Sequence, residues 1–180
     1  LPKRCGHMAG KDVVPLADAV ARVAAAVEAR NDIVVIARTD ALSVAGADEA
    51  VRRVRAFAEA GADAVFVEGT LDAALAERVR HAASGVPLVL NASESAGTDP
   101  PPVAELAALG ARLVLSPVAP LLAAAQGMRA CLTALRRAGS AAGSARMPWR
   151  DLTDLLGLPG FTEAEERFAP RPHPTTADQE

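Results

Sequence analysis

Ile33-Val34-Val35-Ile36-Ala37-Arg38-Thr39-Asp40 decides the fold. Five consecutive apolar residues, mostly β-branched, are too few for a buried helix and lack the alternation of a half-solvated strand. They read as a short strand buried on both faces, the kind a parallel sheet uses. The run then stops on a cation, a hydroxyl and an acid, so its C-terminal end is abruptly polar. Three further runs repeat the pattern at residues 64–67, 87–90 and 112–115. Each is separated from the next by enough chain for a helix.

The intervening segments carry helical periodicity, and the spacing predicts helices over residues 16–30, 48–60, 71–83, 103–109 and 120–137. Gly61, Gly85, Gly110 and Gly139 each close one of these alanine-rich stretches, where a left-handed residue caps the last turn. Strand and helix therefore alternate as βα units. No GxGxxG turn follows any strand, which disfavours a dinucleotide fold. Four successive units correspond to the C-terminal half of a TIM-type (β/α)8 barrel, a fold of ~250 residues when whole. Residues 1–139 are read as this partial barrel, 140–168 as a linker and C-terminal helical segment, and 169–180 as a disordered proline-rich tail. Half a barrel leaves two sheet edges open, which invites pairing.

Composition narrows the function classes. Among 180 residues 51% are apolar, enough for a sizeable core, but aromatics are 3%, leaving no platform for stacking bases. The net charge is −3, with Lys and Arg scattered among acids, so nucleic acid is not expected as a partner. The longest apolar stretch, 113–125, is too short for a bilayer and contains Pro117 and Pro120, so no membrane span is expected. Cys5 and Cys131 stand far apart with no CxxC spacing, which fits a reducing, cytoplasmic setting better than a disulfide framework. Cys131, among alanines and leucines, reads as a small core residue, and His81 as a solvated side chain on a polar helix face. Leu1 is not read as a translation start.

In a parallel barrel the active site lies at the C-terminal ends of the strands. Here those ends are Arg38-Thr39-Asp40, Glu68, Asn91-Ala92-Ser93-Glu94 and Ser116. The loop Lys3-Arg4-Cys5-Gly6-His7-Met8 precedes the first helix and falls at the same mouth. A thiol beside two cations and near a histidine favours its thiolate and suits proton transfer, and Gly6 lets backbone approach a ligand. A surface loop with an inert thiol would have the same composition.

The hexapeptide Lys3-Arg4-Cys5-Gly6-His7-Met8 resembles the signature of isocitrate and methylisocitrate lyases. The resemblance to the isocitrate lyase and phosphoenolpyruvate mutase superfamily continues through Ile36-Ala37-Arg38-Thr39-Asp40-Ala41, Glu59-Ala60-Gly61-Ala62-Asp63, Phe66-Val67-Glu68 and the stretch from Asn91 to Thr98. It implies a Mg²⁺-dependent carbon–carbon lyase that cleaves a 2-hydroxy di- or tricarboxylate to a 2-oxo acid and a carboxylate. Cys5 would be the acid/base, with His7 and the Gly6 amide near the same carboxylate. Arg38 would clamp a substrate carboxylate, Asn91 and Ser93 would hydrogen-bond the departing acid, and Glu68 would position a charged neighbour, a metal-bound water or Arg38 itself.

Departures from the family pattern bear on specificity and on the metal. Ser93 stands where members often have threonine, and Gly97 and Pro100 are displaced within their loop. The acidic Mg²⁺ ligands of the family lie before the signature loop, so no metal site is assigned, and this chain alone is expected to lack lyase activity. Asp40 and Glu94 are read as ion-pair partners or caps rather than ligands. The segment from Met147 to Arg167 resembles helices that pack on a neighbouring subunit, with Trp149 as anchor, so a homo-oligomer is expected. A phosphonomutase or an oxaloacetate hydrolase or decarboxylase on the same barrel, and a non-catalytic half-barrel remnant, are the alternatives.

Overall fold

The structure is a computed structural model that describes residues 10–93 and 99–169. Four short strands, β1 (Ile36–Thr39), β2 (Ala64–Val67), β3 (Leu88–Asn91) and β4 (Ala111–Leu115), form one sheet in the order β1-β2-β3-β4, every pair parallel. Parallel neighbours need a crossover, and helices supply it: α1 (Leu16–Ala29) precedes the sheet, then α2 (Ala41–Ala45), α3 (Ala47–Glu59), α4 (Ala73–Ala82) and α5 (Val103–Ala108) fall between strands. The α/β class and the parallel sheet expected from the apolar runs are present.

Strand alternation sorts the sheet into two faces. Ala37, Val65, Val67, Leu88 and Leu90 pack with the helices, against Ala50, Val54 and Phe57 of α3 and Ala76, Val79 and Ala82 of α4. Those helix positions recur every three or four residues, one stripe per helix. The opposite face carries a smaller cluster of Ala64, Phe66 and Val89, with Leu115 packed against it. Register aligns Arg38 with Phe66, Phe66 with Val89, and Asn91 with Leu115, so the polar strand ends continue this second face. A bulge opposite Leu88 and Val89 accommodates the extra residue Arg112 and keeps Leu115 on it.

Gly61, Gly85, Gly110 and Gly139 all have positive φ, as the capping argument requires. At Gly110 (φ 98°) a side chain would also meet the Arg80 stem, 3.1 Å from an ideal Cβ. Asp72 caps α4 by accepting from the Leu75 amide at 2.8 Å.

Three differences from the sequence reading have local causes. Strand β1 begins at Ile36 rather than Ile33, because Val35 donates to Asp63 Oδ2 and its carbonyl accepts from the Asp63 amide; Ile33 and Val34 are 69% exposed. Helix α2 was not anticipated, since five residues show no period, and Gly46 (φ 87°) separates it from α3. Cys131 is half-buried rather than a core residue, because α6 (Ala119–Ala138) buries no side chain among the described residues. His81 is exposed, as read.

The described residues pack as two units, divided between Leu122 and Ala123 within α6. In the second unit α7 (Trp149–Leu155) and α8 (Leu158–Phe168) pack against one another, joined through Gly157. Residues 170–180, expected to be disordered, lie outside the described residues. No helix among the described residues is long and apolar enough to cross a membrane.

Candidate active site

Strand β1 delivers Arg38 to the second face of the sheet, and three neighbours fix its guanidinium. Nε donates to Asp40 Oδ1 at 2.8 Å and an Nη to Asp40 Oδ2 at 3.2 Å, a fork that sets the plane. The same Nη lies 3.2 Å from Glu68 Oε2, across the β1–β2 boundary. Below, the Phe66 ring centroid is 5.1 Å from the guanidinium carbon. The ion pair between Arg38 and Glu68, one of three roles left open by the sequence, is therefore formed. Glu68 is 5% exposed and its backbone amide donates to the Thr39 carbonyl at 2.9 Å. A carboxylate so buried requires its cation.

Asp40 serves a second cation. Lys11 Nζ stands 3.3 Å from Asp40 Oδ2, with side-chain exposures of 11% for Lys11 and 21% for Asp40. Burial of the Asp40 carboxyl acts to raise its pKa. Hydrogen bonds and charge from Arg38, then from Lys11, outweigh that effect and hold the group below the ordinary carboxylate value. Sequence reasoning missed Lys11 entirely: a lone lysine 29 positions from its partner carries no local signal.

Asn91 ends β3 on the same face, and its side-chain oxygen is buried with no hydrogen-bond partner among the described residues. An unmatched amide oxygen at a strand end is costly unless something else meets it. Ser93, two residues on, is half-buried. The structure thus brings Arg38, Glu68 and Asn91 to one end of adjacent parallel strands. Cys5, Gly6, His7 and Glu94 lie outside the described residues.

Mg²⁺ requires a set of oxygen donors in near-octahedral array. Among the described residues no group of three or more His, Cys, Asp or Glu side chains is placed to hold a metal ion. Asp40 and Glu68 both face Arg38, so these carboxylates do not fit the ion by themselves.

Residues 4–136 match the family described as Phosphoenolpyruvate phosphomutase. The chain is 35% identical to 2,3-dimethylmalate lyase of Eubacterium barkeri over 94% of its own length and 60% of that protein. It is 37% identical to 2-methylisocitrate lyase of Bacillus subtilis over 78% of itself and 46% of that protein. Among solved structures, the fold superposes on 2,3-dimethylmalate lyase, a PEP mutase/isocitrate lyase superfamily member, with TM-score 0.81 at 38% identity, over 92% of this chain and 56% of that one. Oxaloacetate acetylhydrolase in complex with 3,3-difluorooxalacetate gives TM-score 0.81 at 33% identity, over 95% and 59%. Phosphonopyruvate hydrolase in complex with oxalate and Mg²⁺ gives 0.72 at 30%, over 89% and 60%. The chain thus spans roughly half to three-fifths of the length of these relatives. With a family match across most of its length and a superfamily member superposing at 38% identity, the chain belongs to the phosphoenolpyruvate phosphomutase family, within the PEP mutase/isocitrate lyase superfamily.

Proposed function

We propose that the protein carrying this chain is a carbon–carbon lyase of the methylisocitrate type, acting on a 2-hydroxy di- or tricarboxylate. The observation that carries the reading is the convergence of Arg38, Glu68 and Asn91 at the C-terminal ends of three adjacent parallel strands. Arg38, its plane set by Asp40, clamps a substrate carboxylate. The 2-hydroxyl gives its proton to solvent, its oxygen becomes the carbonyl of the 2-oxo acid as the adjacent carbon–carbon bond breaks, and that bond's electron pair moves to the α-carbon of the departing carboxylate. Cys5 supplies the proton that quenches that carbanion, with His7 and the Gly6 amide at the same carboxylate. Asn91 and Ser93 hold the departing acid, and the unmatched Asn91 oxygen is suited to a hydroxyl or a protonated carboxyl.

Magnesium dependence is part of the reading, supported by the Mg²⁺ of the phosphonopyruvate hydrolase complex. Its ligands would come from outside the described residues. Release of a 2-oxo acid from 2-methylisocitrate, isocitrate or 2,3-dimethylmalate, abolished by EDTA, is the expected result. Cys5→Ser is expected to lower kcat at least ~100-fold, the usual scale for losing a proton-transfer group; full turnover in that variant would remove Cys5 from the chemistry.

The superposition on oxaloacetate acetylhydrolase supports a second reading, hydrolysis of oxaloacetate on the same scaffold. Product analysis separates the two, since hydrolysis of oxaloacetate yields oxalate and acetate and no 2-oxo acid.

A further inference from the structure

We propose that Lys11 is a positioning residue that keeps the Arg38 clamp attractive to anionic substrates. The inference rests on the reading of Arg38 as the carboxylate clamp and deepens it.

Among the described residues, Arg38, Asp40, Glu68 and Lys11 bring their charges together at this end of the sheet. Two carboxylates, Asp40 and Glu68, draw on the Arg38 guanidinium and compete with a ligand carboxylate for it. Lys11 adds a second cation to face those carboxylates. It does so at the atom that matters, because Asp40 Oδ2 is shared between the Arg38 Nη at 3.2 Å and Lys11 Nζ at 3.3 Å. Drawing part of the Asp40 charge onto a second cation leaves more of the Arg38 field for a ligand. The low exposure of both Lys11 and Asp40 makes the pair poorly screened by salt. The lowered pKa of Asp40 keeps the carboxylate ionised at neutral pH.

The anchor is also mechanically sound. Lys11 lies in the segment leading into α1. That segment is tied a second time, where the buried Arg53 of α3 donates to the Val14 carbonyl at 2.6 Å. Arg53 thus anchors the backbone three residues beyond Lys11, which limits where the lysine stem can start from.

The test compares Lys11→Met, Lys11→Arg and Arg38→Ala with wild type, reading kcat and KM for a dicarboxylate and a tricarboxylate substrate. The affinity for oxalate in Mg²⁺ buffer, measured by calorimetry, serves as a readout independent of turnover. Lys11→Met is expected to raise KM and weaken oxalate binding by roughly ten-fold, the scale of a charge that acts on the ligand through Asp40 and Arg38 rather than by contact. Its kcat is expected to stay within about two-fold. The penalty grows with substrate charge, and Lys11→Arg restores most of it. Unchanged KM and oxalate affinity in Lys11→Met, alongside a large loss in Arg38→Ala, would overturn the role of Lys11 and leave the clamp standing. A loss in Lys11→Met that is equal for all ligands, not rescued by arginine and matched by a fall in melting temperature would make Lys11 merely structural. If Arg38→Ala itself binds oxalate normally, the clamp fails and the positioning role falls with it.

Discussion

Asp40 is acidic because two cations face it, and that fixes the sign of its pH dependence. A carboxyl whose folded pKa lies below its unfolded value contributes stability that is fully present above the unfolded value, about 3.9. That contribution is lost as pH falls through the lower, folded value. Wild-type protein is therefore expected to lose more stability than Asp40→Asn between pH 6 and pH 3, with no difference in trend above about pH 5; parallel urea titrations in each buffer check this. Arg53 poses a sharper demand. It is 4% exposed on the apolar stripe of α3 and is satisfied by Glu49 at 2.8 Å and the Val14 carbonyl at 2.6 Å. Arg53→Met is expected to cost about 1.5–3 kcal/mol, the value of buried charge-assisted hydrogen bonds, seen as a lower urea midpoint. Residue types told much about the site: Arg38, Glu68, Asn91 and Ser93 were legible as polar breaks at the ends of apolar runs. Lys11 and the Phe66 stack were not, because pairing across distant segments leaves no mark on either one.

At the scale of elements, the strands and long helices were legible for two separate reasons. Short apolar runs that stop on a polar side chain have few alternatives to a buried strand, and the stripes of α3 and α4 repeat often enough to reveal a helix. Element ends were harder, because side chains set them. Asp63 takes over the Val35 amide and shortens β1, an interaction between residues 28 positions apart. The cap of α4 was within reach of the sequence, since aspartate precedes the helix at the position where its oxygen meets an orphan amide. Asp72→Ala is expected to cost about 1 kcal/mol of stability, and Asp72→Ser to recover most of it. Equal stability of all three proteins in thermal unfolding would show that another group satisfies the Leu75 amide.

For the whole molecule, the C-terminal region presents large apolar side chains outward: Trp149 is 77% exposed, Phe161 67% and Leu155 73%. A subunit contact through these helices would cover them. A double variant, Trp149→Ser with Phe161→Ser, is expected to shift sedimentation velocity toward a smaller species, while unchanged sedimentation would remove these helices from any interface. Assembly could not be read more finely from sequence, because an apolar helix looks alike whether its own chain or another covers it. The strand order has a last consequence, for folding rather than for chemistry. Position in the sheet follows position in the chain, so each strand pairs only with the strand before it and the strand after it. Among these four strands no pairing waits for a distant segment, which keeps the loop-closure entropy of each of their steps small. The sheet can therefore grow one βα unit at a time, in the order in which a ribosome delivers it.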